Sequence, residues 1–117
     1  MSKETIFLVG LSLLFVHEMD AVRCREWRIF PGLSLLTDKA GFLVFSAAHI
    51  PILFCLFYEL FVLNNQNLVT PINIFFIIHL GLHLLFLKHK KNEFKDVFSW
   101  TIISGLAVCG ITGLIVS

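Results

Sequence analysis

Charge is what this sequence has least of. Only 15% of its 117 residues are Asp, Glu, Lys or Arg, and none of these falls between Val97 and Val116. Between Leu68 and Leu87 the chain has histidines, His79 and His83, but no charged residue; between Gly41 and Leu63 it has only Glu59 and His49. Runs of this kind exclude an ordinary soluble domain, in which polar residues interrupt the apolar ones every few positions. A net charge of +1 points to no acidic partner, and no basic tract is dense enough for nucleic acid. Cysteine is scarce too. Cys24, Cys55 and Cys109 stand alone, without the CxxC spacing of a zinc knuckle or a redox pair. Cys55 and Cys109 are expected to be small buried apolar residues. There is also no Ser/His/Asp or Cys/His pattern that would mark a covalent hydrolase.

The apolar residues that remain fall into four blocks. Each reaches about 20 residues, the length that crosses roughly 30 Å of hydrocarbon as a helix. The expected fold is therefore all-α: one transmembrane domain, a four-helix bundle, with helices at about 4–25, 41–63, 68–88 and 97–116. The first block must carry His17, Glu18 and Asp20 to reach full length. A cleavable signal would need a small-residue cleavage site, and His17-Glu18-Met19-Asp20 does not provide one. Arg23, Arg25, Arg28 and Lys39 mark the first connection, and Lys88, Lys90, Lys91 and Lys95 mark the third. The second connection has no basic residue. Basic loops stay in the cytoplasm, so loops 26–40 and 88–96 are placed inside and both termini outside, in what is expected to be a bacterial inner membrane.

Several residues punctuate these blocks. Trp27 and Phe30 suit a membrane interface, and Pro31-Gly32 breaks the chain before a short apolar segment, Leu33 to Leu36. Pro51, inside the second helix, removes the bond to the Ala47 carbonyl and is expected to kink the helix near His49. Asn64 to Asn67 form a polar outer turn, and Pro71 suits the start of the third helix. A Glu59–Asn73 contact is expected at that outer end. In the fourth block a small residue recurs at every fourth position: Thr101, Gly105, Cys109, Gly113 and Ser117. Such a ridge lets another helix approach closely, either within the chain or from a second copy, which would make a homo-oligomer through Gly105, Cys109 and Gly113.

The chemistry-bearing residues gather at one depth. At 1.5 Å per residue, His17 lies about 12 Å inward from Arg25, and His49 about 12 Å inward from Gly41. His83 and His79 lie about 8 and 14 Å inward from Lys88 on the same measure. His79 and His83 share a helix face, as do His17 and Asp20, while Glu18 points about 100° away from His17. Neutral imidazole is the commonest metal ligand, and a carboxylate nearby lowers the cost of bringing in a cation. The expected metal ligands are therefore His17, Asp20, His49, His79 and His83. Glu18 and Asp20 are the candidate catalytic acids, Glu18 as general base or as a group behind the ligands. A divalent metal is expected, zinc in preference to iron. Two other readings stay open: a His/acid network that relays protons or only holds the helices, and a bis-histidine haem. His89, in the basic loop, is read as solvated.

The segment His17-Glu18-Met19-Asp20-Ala21-Val22, followed by Glu26-Trp27-Arg28 and Phe30-Pro31, resembles an uncharacterised family of small bacterial four-helix membrane proteins. That resemblance spans nearly the whole chain and implies no chemistry. The chain is more loosely similar to HXXEE-type families, which carry an acid three residues after the histidine, as Asp20 does here, but then a Glu pair that this sequence lacks. Its ligand types are similar to those of ceramidase- and adiponectin-receptor-like membrane hydrolases and of histidine-rich lipid desaturases. The expected class of reaction, if the chain is an enzyme, is metal-assisted hydrolysis of a lipid-like substrate drawn from the bilayer.

Overall fold

The computed structural model describes residues 1–116, and its regular structure is all helical. Four helices follow one another: α1 (Lys3–Arg23), α2 (Asp38–Phe57), α3 (Val69–Leu85) and α4 (Val97–Val116). A π turn, Tyr58–Val62, prolongs α2, and a 3-10 turn, Gln66–Leu68, leads into α3. With these extensions each helix is long and apolar enough to cross a membrane, at 20 to 25 residues and a mean hydropathy of 1.6 to 2.1.

Local chemistry sets the ends. The Ser2 hydroxyl accepts the Thr5 N–H at 3.2 Å and opens α1. α1 closes at Arg23, short of the expected Arg25, because Arg25 takes a left-handed conformation (φ 50°, ψ 54°). A 3-10 turn, Glu26–Arg28, follows and returns the chain toward the bundle, burying Glu26 and Trp27. α2 starts at Asp38, ahead of the expected Gly41. Thr37 Oγ1 caps it by accepting the Ala40 N–H at 3.2 Å, and Asp38 complements the helix dipole in the first turn. Asp38 also accepts from Trp27 Nε1 at 3.1 Å and pairs with Arg28, which ties the turn to α2. The helix continues through Pro51, and its winding changes only later, in the π turn.

α4 packs against both α1 and α3. Its glycines explain how closely. A Cβ at Gly110 would stand 2.5 Å from the Asn73 backbone oxygen, and one at Gly113 would stand 2.7 Å from Asn73 Nδ2. Gly105 faces Leu13 of α1. The small-residue ridge is thus engaged inside the chain at Gly105 and Gly113; Ser117, its last member, lies outside the described residues. Asn73 is turned into α4 and almost fully buried. Glu59 does not reach it and instead accepts from Asn65 Nδ2 at 2.9 Å, which corrects the expected outer contact.

α2 stands apart. Its backbone neighbours are the turns at 26–28 and 33–35, and it reaches α1 through long side chains such as Phe57, edge-on to Phe15 at 5.7 Å. Much of its surface is exposed and apolar, including Ile50, Phe54 and Phe61, which suits a face that meets hydrocarbon. Cys55 is exposed on it rather than buried.

Candidate metal centre

His17 from α1 and His79 and His83 from α3 meet at the basic end of the bundle. His79 Nε2 lies 2.6 Å from His17 Nε2, and His83 Nε2 lies 3.3 Å from the same atom. The i, i+4 spacing puts both α3 imidazoles on one face, and each meets His17 edge-on. Phe94, fully buried, stacks on His17 at 5.7 Å and packs edge-on against His83 at 4.5 Å. One phenylalanine thus packs against two of the three imidazoles.

The polar accounting inside the triad does not close. A neutral imidazole nitrogen either donates one hydrogen or accepts with one lone pair. His17 Nε2 can therefore satisfy only one of the two nitrogens that face it. The Nδ1 atoms of His17 and His79 are buried with no hydrogen-bond partner. Buried polar groups are nearly always paired, so both the crowded Nε2 atoms and the unpaired Nδ1 atoms mark this cluster as unusual.

Glu26 completes the group. One ligand atom from each of His17, Glu26, His79 and His83 lies within 4.8 Å of all the others, and all four residues are buried. Among the described residues no hydrogen bond or ion pair reaches the Glu26 carboxylate. The nearby guanidiniums are committed elsewhere: Arg23 to Asp20 and Asp96, Arg25 to Asp38, Arg28 to Asp38 and Glu93. Burial, reinforced by the Glu18 carboxylate, pushes the Glu26 carboxyl up to about 8. A divalent cation would take the Nε2 lone pairs that crowd one another and supply positive charge beside Glu26, while the Nδ1–H groups of His17 and His79 would still have no acceptor. In tetrahedral zinc, with bonds of about 2.0–2.1 Å, ligand nitrogens stand about 3.3 Å apart. The His17–His83 pair already has that spacing; the His17–His79 pair must open by about 0.7 Å to reach it.

The family model that matches this chain covers residues 3–117 and describes a family of unknown function (DUF6713). The chain belongs to that family. No curated protein and no solved structure matches it.

The expected ligands of this DUF6713 chain divide between three places. His17, His79 and His83 come together. Asp20 does not join them, because both of its oxygens are taken: Oδ1 by Arg23 Nε at 2.7 Å and Oδ2 by the Ser99 hydroxyl at 2.5 Å. It shares a face with His17, but at its level that face meets α4, so Asp20 clamps two helices. Ser99 N–H and Arg23 both also bond Asp96, whose carboxyl these contacts hold below its usual range. His49 lies outside the four-residue group as well. Its Nε2 faces Glu18 Oε2 at 2.6 Å and its Nδ1 faces the Phe45 carbonyl at 2.7 Å. A carbonyl only accepts, so His49 Nδ1 carries a hydrogen and one proton is shared between Nε2 and Glu18. Glu18 points away from His17 as its position in the helix requires. His89 is exposed and accepts the Lys91 N–H.

Glu26 was not among the expected ligands. It follows the end of α1, where helical periodicity stops informing, and only the left-handed turn at Arg25 brings it back. The usable signal was composition: an acid between Cys24 and Trp27 and Ile29, all three of which are buried.

Proposed function

We propose that this chain is an integral membrane metal-dependent hydrolase of a lipid-like substrate, with a divalent cation held by His17, His79 and His83 and with Glu26 beside it. One observation carries the reading: three Nε2 atoms converge next to a buried carboxylate that has no cation. The ligand types favour zinc over iron, and three histidines leave the open position typical of catalytic zinc. Zinc held there would supply a nucleophile from water at neutral pH. Glu26, beside the three histidines, would take the proton from the attacking water. The proton shared by Glu18 and His49 is available to the leaving group as the acyl–oxygen or acyl–nitrogen bond breaks and the water oxygen joins the carbonyl carbon. The basic residues of loops 26–40 and 88–96 support a reading with this centre in the cytoplasmic half and both termini outside.

A second reading has its own observation. The 2.6 Å separation of His17 and His79 is a direct hydrogen-bond distance, shorter than that between neighbouring ligands of tetrahedral zinc. A metal-free histidine network that relays protons would keep it. Bis-histidine haem draws no such support: its axial ligands stand on opposite faces of a porphyrin, whereas these nitrogens face one another with Phe94 against two of the rings.

Elemental analysis separates the readings. The protein is purified in mild detergent without chelator or histidine tag, beside His79→Ala/His83→Ala. Near-stoichiometric zinc that disappears in the double variant is the expected result. Folded protein that takes up neither zinc nor iron when they are supplied would overturn the metal centre and leave the proton network.

A further inference from the structure

An open cleft of about 340 Å³ lies between α1 and α2, at the small end of the range for ligand sites. Its walls are apolar, with Phe15, Met19 and Val22 from α1 and Leu53 from α2. Three polar side chains interrupt them: Glu18, His49 and Ser46. The Ser46 hydroxyl is buried and has no partner. Ser12 and Thr101, also in helices, bond the carbonyl four residues back at 2.8 and 2.7 Å, and Ser46 does not. Glu18 and His49 are each about one-quarter exposed at the side chain, so their shared proton faces the cleft rather than the core.

We propose that this cleft binds the acyl chain of an amphiphile that enters sideways from the bilayer, with its carbonyl turned to the Ser46 hydroxyl and the Glu18–His49 pair. The surroundings select the occupant. α2 stands off from the other helices, and Met19, which lines the cleft, is apolar and mostly exposed. At this depth the competing solvent is hydrocarbon, in which an unpaired hydroxyl is costly and a carbonyl acceptor is worth holding. Glu18 points away from His17 to the α2 side of α1, and what links the pair to the histidine centre is the charge of Glu18 acting on Glu26. The proposal extends the hydrolase reading by naming the part of the substrate that is gripped, but binding is measured without turnover.

The test uses the full chain in phosphatidylcholine nanodiscs and palmitic acid carrying a mid-chain diazirine. After photolysis, adducts are mapped by peptide mass spectrometry. They are expected on the stretches 15–22 and 45–53, at least fivefold above the exposed α4 positions Val108 and Ile111. Ser46→Phe should fill the cleft and abolish the excess. Met19→Trp, at an exposed position that cannot disturb the core, should narrow the mouth and reduce it. Labelling spread evenly over the four helices, or a cleft signal untouched by Met19→Trp, would overturn the proposal and leave only the ordinary lipid annulus. Folded His79→Ala/His83→Ala should keep the cleft adducts while losing metal, so loss of the metal reading does not remove the cleft.

Discussion

Glu26 is a buried carboxylate that needs either a proton or a cation. Its ordinary pKa is near 4.3, and in the fold it is raised to about 8. The folded state therefore holds the proton more tightly than the unfolded chain does. Without metal, stability is full below about pH 4.3, falls as pH rises toward 8 and is flat above that, a loss on the order of 5 kcal/mol. Melting of chelator-treated protein in detergent should fall steadily from pH 5 to pH 8. Glu26→Gln, which cannot ionise, should flatten that slope and melt higher than the native chain at pH 8. A slope unchanged by the substitution would mean that the carboxylate is not buried unpaired. Metal reverses the preference: zinc affinity should rise with pH, because the ion competes with protons on the imidazoles and is favoured by an ionised Glu26 beside it. Histidines on defined helix faces were legible in the sequence, since depth and face follow from 1.5 Å per residue and the i, i+4 spacing. Glu26 was not, because one left-handed residue, Arg25, decides where it goes and nothing in the residue type demands that conformation.

Helix contacts carry a different kind of information. The ridge on α4 was legible as a place of close approach, but which helix fills it was not. Both neighbours share it: Gly105 meets Leu13 of α1 and Gly113 meets Asn73 of α3, with Gly110 beside the ridge admitting the Asn73 backbone. Gly110→Val should force α3 from α4, because its Cβ would stand 2.5 Å from a backbone oxygen that cannot move alone. The expected loss is about 1–3 kcal/mol, read as a lower melting temperature. Gly81→Ala is the matched control. Nothing lies within 4 Å of a Cβ there, so the substitution should gain up to about 1 kcal/mol of helix propensity. Equal effects at the two positions would mean that the α3–α4 seam is not close-packed. α2 shows where the sequence ran out. It is apolar all round, so no periodicity marks an inner face, and depth alone could not tell that His49 would turn to Glu18 instead of joining His79 and His83.

Taken whole, the chain is three packed helices with a fourth held mainly at its basic end. α1, α3 and α4 share the core, while the Trp27–Asp38 and Arg28–Asp38 contacts moor α2. Helices with few buried contacts open at lower free energy than the rest of a fold. Hydrogen exchange in nanodiscs should therefore be faster along 42–62 than along α1 and α4. Metal would join α1 and α3 through their histidines, with the 26–28 turn against it, and binding to the folded state alone stabilises it by about 2.7 kcal/mol at a hundredfold excess over the dissociation constant. That gain belongs to the elements carrying the ligands. Zinc should slow exchange around 17–28 and 79–86 and leave the middle of α2 nearly unchanged, and His79→Ala/His83→Ala should remove the effect. Protection by zinc centred on His49 instead would place the ion between α1 and α2, and the three-histidine centre would have to be abandoned.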